Sequence, residues 1–242
     1  MTEKMFYQDA YLKTLATRIA AVEMLDDQLV VITEASNFYP QGGGQPGDQG
    51  WLVAADDKRT AITNTRYSSD RQHIAHYLEQ TDLQPVAGDI VTLELNWPRR
   101  HRLMRMHTAM HLMCSIIPAP VTGGGMNEQQ CRCEFDVQTS DWDKEELTRQ
   151  LNALVEAALP VSISYISEQQ LDDHPDLVRT MSVQPPRGFG DIRMIRVGDD
   201  VDYQPCGGTH VANTAEIGRV RIASIKSKGK QNKRFNIELD DE

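Results

Sequence analysis

His107 and His111 stand four apart in R-M-H-T-A-M-H, residues 105–111, and Cys206 and His210 stand four apart in C-G-G-T-H, residues 206–210. Imidazole and thiolate are donors that zinc prefers, and four such groups complete a tetrahedral shell. On a helix, ligands four apart share one face, one turn above the other. With 7 histidines and 4 cysteines in 242 residues, chance supplies roughly 0.2 H-x-x-x-H pairs and about 0.1 C-x-x-x-H pairs, so both together are rare. The same residues also fit hydrogen-bonded core histidines beside a small buried thiol, and spacing alone leaves both readings open.

The chemistry open to such a set is hydrolytic. In H-E-x-x-H a glutamate follows the first histidine and serves as base; here that position is Thr108. Peptide hydrolysis by that route is therefore not expected, whereas an ester could yield to metal polarisation and a positioned water. Four protein ligands otherwise make a closed, structural site. Cys206 is the candidate for a loose ligand because Gly207 and Gly208 give its loop freedom, and their amides could donate to a developing oxyanion.

Net charge is −10, which argues against a nonspecific DNA or RNA binder. Yet Arg99, Arg100, Arg102 and Arg105 cluster before the histidine pair, and Lys226, Lys228, Lys230, Lys233 and Arg234 cluster near the C-terminus. Two basic islands on an acidic body fit local phosphate contacts; a solvated helix start and a charged hairpin tip fit equally. No run of 18 apolar residues and no signal-like start occurs, so a cytoplasmic protein without a membrane span is expected. Cys114, Cys131, Cys133 and Cys206 fit a reducing compartment. The sequence sets no oligomeric state.

Elements must position these groups. Residues 1–95 read as a small β-barrel: Thr17–Leu25 and Leu29–Glu34 flank an Asp26-Asp27 turn, Asn37–Trp51 is a glycine-rich loop, and Val91, Leu93 and Leu95 alternate with polar residues. His73 and His76 read as a surface pair. Residues 96–242 read as a second domain. Asn96 and Pro98 open a helix that runs to about Ile117 and stops at Pro118. It is apolar on two sides, so it is central and its histidines are sheltered. A strand at Cys131–Val137 turns both cysteines toward a core. Helices are expected over 142–159 and after Ser167, with strands at 161–165, 192–197, 218–225 and 235–239. The fold class is α+β, with the metal-bearing helix packed on an antiparallel sheet.

Three stretches together resemble the freestanding alanyl-tRNA editing proteins and the editing domain of alanyl-tRNA synthetases. These are F-Y-P-Q-G-G-G-Q-P-G-D-Q-G at 38–50, R-L-M-R-M-H-T-A-M-H-L at 102–112 and D-Y-Q-P-C-G-G-T-H-V at 202–211. The resemblance runs from about Phe38 to Leu239 and is to the medium-length form acting in trans. It implies one Zn2+ per chain on His107, His111, Cys206 and His210, and ATP-independent ester hydrolysis of mischarged Ser-tRNA(Ala) or Gly-tRNA(Ala). It also implies a translation-type barrel before an α/β editing domain. The partner would be the acceptor end of a tRNA, with no DNA and no membrane.

Beside the metal, Thr108 and Cys206 with its glycines are the catalytic candidates. Gln41, Gly43, Gly44, Gln45, Thr122 and Gly124 are substrate-binding candidates, and a plain barrel turn explains the first four equally well. Arg193 and Asp202 could orient the second motif, and a surface role fits them equally well. Met110 stands where the synthetase domain often has threonine, and V-T-G-G-G-M at 121–126 lacks that family's glutamine and serine, so serine selectivity is less secure than hydrolysis. The alternatives are a Ser-tRNA(Thr) deacylase and a non-catalytic tRNA-binding module with structural zinc.

Overall fold

The computed structural model describes residues 1–25, 27–137, 141–181, 190–229 and 231–240. The chain forms two compact units, Met1–Arg102 and Leu103–Glu242. The first contains β1 (Glu3–Lys4), α1 (Met5–Gln8), β2 (Thr14–Leu25), β3 (Gln28–Thr33), β4 (Ala35–Ser36), β5 (Gly50–Val53), β6 (Arg59–Tyr67), β7 (Ile74–Leu78) and β8 (Ile90–Leu95), and it ends in the first turns of α2 (Trp97–Ile116).

Six strands close into an antiparallel barrel in the order β2-β3-β7-β6-β5-β8. Val91, Leu93 and Leu95 point inward and join Ile19, Val31, Phe38, Leu52, Ile62 and Leu78 in its core. Register shifts at Ile19/Ala21 and Ile62/Asn64 supply the local bends that barrel closure demands.

Backbone geometry accounts for the glycine-rich loop. Gly42 and Gln45 exchange two backbone hydrogen bonds of 3.1 and 2.9 Å, and between them Gly43 and Gly44 hold φ of 56° and 83°. That is a two-residue hairpin turn with both central residues left-handed, which glycine adopts without a Cβ clash. Gly47 and Gly50 serve close approach: a Cβ would fall 2.1 Å from the Thr65 carbonyl oxygen and 2.0 Å from that of Glu94.

Two buried polar groups lock this unit. Arg100, 1% exposed, donates to the Asp48 carboxylate and to the carbonyls of Asn37 at 2.8 Å and Ala10 at 2.9 Å. His76 is buried, not on the surface: its Nδ1 lies 3.0 Å from the Val31 carbonyl and its Nε2 2.9 Å from Ser36 Oγ. The surface reading fails because β7 is covered on both sides, with all five of its residues buried.

The second unit carries the rest of α2, then β9 (Val121–Met126), β10 (Gln130–Asp136), α3 (Lys144–Glu156), β11 (Val161–Ile166), α4 (Glu168–Asp173), β12 (Ile192–Val197), β13 (Asp202–Pro205), β14 (Val220–Ser227) and β15 (Asn232–Leu239). These strands make two antiparallel sheets, β14-β15-β10-β9 and β11-β12-β13. The molecule is thus α+β.

Asn96 caps α2, its Oδ1 accepting from Arg99 N–H. The α3 helix is shorter than the expected 142–159. Asp143 caps it through the amides of Glu145 and Glu146, and Ala158, at φ 51°, turns the chain away before Pro160. Ser167 and Gln170 form the expected capping box on α4. Cys131, Cys133 and Phe135 are buried while Arg132 and Asp136 are exposed, as the alternation predicts. Among the described residues no helix is long and apolar enough to cross a membrane.

Candidate metal centre

The helix and the second motif meet in the Leu103–Glu242 unit. His107 and His111, one turn apart on α2, face the loop after β13, which brings Cys206 and His210. The four ligand atoms lie within 4.8 Å of one another. Cys206 Sγ is 3.5 Å from His107 Nε2 and 3.3 Å from His210 Nε2. A tetrahedral zinc with ordinary bond lengths has N···S edges of about 3.6 Å, so the donor set fits such an ion.

Neighbouring groups orient three of the four ligands. His111 Nδ1 is 2.8 Å from Asp202 Oδ2, and Gln204 Nε2 donates to the same oxygen at 3.0 Å. The carboxylate therefore accepts the Nδ1 proton and leaves Nε2 for a metal. Thr108 Oγ1 donates to the Met104 carbonyl at 3.0 Å, accepts from Val211 N–H at 3.3 Å and lies 3.2 Å from His210 Nδ1. It holds His210 in the matching tautomer. Arg193 donates to the carbonyls of Cys206 at 2.6 Å and Gly208 at 3.0 Å, which pins the loop. Gly208 N–H points at Cys206 Sγ, 3.4 Å away.

The electrostatics agree with a thiolate among imidazoles. Burial pushes the Cys206 thiol up, but the charges of His107 and His210 outweigh it and hold its pKa well below the usual thiol value. Burial also disfavours a charged His111, yet its bonds to Asp202 and Cys206 hold its pKa well above the ordinary histidine value. For His210, burial and then the charge of His107 push the pKa well down.

The other sequence-derived candidates scatter. Thr108 is fully buried behind His210 and positions it. Thr122 accepts from Asn232 Nδ2 at 2.8 Å, on the face of the β10/β15 sheet opposite Cys133 and Phe235. Gly124, by contrast, lies beside Met110, whose Cε would sit 2.9 Å from a Cβ there. Gln41, Gly43 and Gly44 are exposed in the first unit, where Gln45 is buried. Arg100 is committed to Asp48 and has no face for a phosphate. Arg99 donates to the Gly47 carbonyl at 2.9 Å, and Arg102 is half-buried.

In the C-terminal hairpin, Lys226 and Lys228 are exposed. Lys233 reaches Ser227 Oγ at 2.7 Å, and Arg234 pairs with Glu134 at 2.5 Å. Lys230 lies outside the described residues. Sequence reasoning missed Gln204. Its signal was the period of two in D-Y-Q-P-C, which puts Asp202, Gln204 and Cys206 on one strand face.

Comparison with known proteins places this geometry. Residues 192–236 match the family described as threonyl and alanyl tRNA synthetase second additional domain, and residues 3–99 match class II (A) tRNA synthetases. The chain is 32% identical over 254 residues to the alanyl-tRNA editing protein AlaX-M of Methanosarcina barkeri, with all of both chains covered. The chain belongs to the AlaX-M family of alanyl-tRNA editing proteins. A second AlaX-M relative, from Saccharolobus solfataricus, is 29% identical over 240 residues, 97% of each chain. This editing protein is also similar to the alanine–tRNA ligase of Metallosphaera sedula, at 31% over 233 residues, covering 93% of the chain but 25% of the ligase.

Proposed function

We propose that the chain hydrolyses the ester of mischarged Ser-tRNA(Ala), and of Gly-tRNA(Ala), as a zinc-dependent deacylase acting in trans in the cytoplasm. The observation that carries this reading is the convergence of His107, His111, Cys206 and His210 within 4.8 Å, with Cys206 half-buried and Gly207 exposed at its open side. When bound, the ion supplies Lewis acidity toward an ester carbonyl or a water. Asp202 and Thr108 keep two imidazoles in the ligating tautomer. The Gly207 amide is the group available to a developing oxyanion, because the Gly208 amide already serves Cys206. Gly124, which lies against Met110, would bound the space for the amino acid. Residues 96–242 would carry the chemistry. The exposed turn at Gln41, Gly43 and Gly44, with Arg99, Arg102, Lys226, Lys228 and Lys233, would meet RNA.

The test is hydrolysis of Ser-tRNA(Ala), Gly-tRNA(Ala), Ala-tRNA(Ala) and Ser-tRNA(Thr) by zinc-loaded protein. Release from the first two, sparing Ala-tRNA(Ala), is expected, with loss in Cys206→Ala and in His111→Ala and after chelation. A four-ligand shell also suits a structural ion. Hydrolysis of none of the four would leave a tRNA-binding module, and preference for Ser-tRNA(Thr) would move the protein to the threonyl branch.

A further inference from the structure

The three-stranded sheet continues the metal site sideways. In an antiparallel sheet, residues directly opposite one another project from the same face. Across β11, β12 and β13 the rows are Val161–Val197–Asp202 and Ile163–Ile195–Gln204. The third row is Tyr165–Arg193, extended to Cys206 by the bond from Cys206 N–H to the Arg193 carbonyl, 3.1 Å. Asp202, Gln204 and Cys206 are the site side of this sheet, so Ile163 and Tyr165 stand on the site side as well.

The opposite face is closed by Leu171, Ile192, Met194 and their neighbours. Along the site side, Ile195 and Val197 are fully buried, yet Ile163 is 41% and Tyr165 52% exposed. Tyr165 is the one aromatic among the exposed large hydrophobic side chains of the described residues.

We propose that Tyr165, backed by Ile163, is the stacking platform for the terminal base of the aminoacylated RNA. This rests on the deacylase reading. Two inter-strand steps set the Tyr165 backbone about 10 Å from that of Cys206, on the scale of one nucleoside. An ester held at the metal centre would therefore bring its own base over the β11 edge. Every base offers a π-face to an aromatic ring. The patch is two side chains wide, far below the ~1,000 Å² that a stable protein partner needs, and it suits a single base. Arg193, clamped on the carbonyls of Cys206 and Gly208, ties platform and ligand loop into one row. Tyr165 is thus a positioning residue, remote from the reacting atoms.

The experiment compares wild type with Tyr165→Ala, Tyr165→Phe and Tyr165→Trp, all zinc-loaded with metal content measured. The probes are a non-hydrolysable seryl amide of 3′-amino-adenosine, the seryl amide of methylamine, and Ser-tRNA(Ala). Tyr165→Ala is expected to weaken the adenosine probe roughly 5- to 150-fold, the span of base–aromatic stacking. The methylamide and the zinc content should be untouched, KM for Ser-tRNA(Ala) should rise at constant kcat, and Phe and Trp should restore binding. Unchanged adenosine affinity in Tyr165→Ala, equal loss on both amides, or no rescue by Phe and Trp would overturn the proposal while wild-type hydrolysis keeps the deacylase reading. A wild type that hydrolyses no mischarged tRNA and binds neither amide would overturn both.

Discussion

Asp202 Oδ2 sits 2.8 Å from His111 Nδ1, and this contact decides which ring nitrogen faces Cys206. A carboxylate behind a ligating histidine raises the basicity of the ligand and fixes its direction, and removing it typically costs 10–100-fold in metal affinity. Asp202→Ala should therefore weaken zinc binding by about 10–100-fold, read by competition with a chromophoric chelator. An unchanged affinity would show that the Cys206 loop alone orients His111.

Thr108 does the same for His210 through a hydroxyl. Thr108→Val keeps the shape but leaves His210 Nδ1–H and Val211 N–H without that acceptor. Weaker zinc binding and a drop of about 1–3 kcal/mol in unfolding free energy are expected, whereas Thr108→Ser should behave as wild type. Equal behaviour of Val and Ser in a chelator titration and a urea melt would remove the hydroxyl from the argument.

Arg100 and Asp48 are both buried at 1% exposure. Removing one partner leaves an uncompensated charge, so Arg100→Leu should destabilise the barrel unit by about 3–5 kcal/mol, and adding Asp48→Asn should recover part of it. Urea unfolding followed by tryptophan fluorescence measures this. A drop below about 1 kcal/mol, the scale of an exposed pair, would contradict the burial.

Burial lowers the pKa of His76 to about 4, against the partial opposition of its bond to the Val31 carbonyl. The unfolded chain then takes up its proton near 6.5 and the folded one near 4. Stability is complete above the unfolded value, falls as pH drops between the two, and is flat below. The contribution is on the order of 3 kcal/mol. His76→Gln should flatten the difference in unfolding free energy between pH 7 and pH 4.5. An equally steep fall in that variant would assign the acid sensitivity to other groups.

Lys226 and Lys228 are exposed, whereas Arg234 is held by Glu134. If the hairpin meets the acceptor stem, changing both lysines to Ala should make the slope of log K against log salt shallower by about 0.7–0.9 for each phosphate no longer neutralised. Filter-binding titrations at several salt concentrations would show it, and an unaltered slope would place the RNA elsewhere.

Much was legible in the sequence because it is local. The helix from Asn96, the capping box at Ser167 and the alternation of Val91, Leu93 and Leu95 all depend on neighbours within a few positions. Other elements were not. The Val121–Met126 strand carries three consecutive glycines, which have low β preference, and Asp202–Pro205 is short and polar, with a proline that only an edge strand tolerates. Both exist because a neighbouring strand pairs with them. Arg100 read as a phosphate contact because nothing near it in sequence announces Asp48.

By itself, then, the chain specified its donor types, their spacing on a helix and a loop, and the turns that glycine permits. The tertiary structure decided the rest: which imidazole nitrogen is free, that Thr108 positions His210, that Arg100 is buried, and that Tyr165 shares a row with Cys206. The physical reason is distance along the chain. His111 and Asp202 are 91 positions apart and Thr108 and His210 are 102 apart, so only strand register and helix packing bring their polar atoms together.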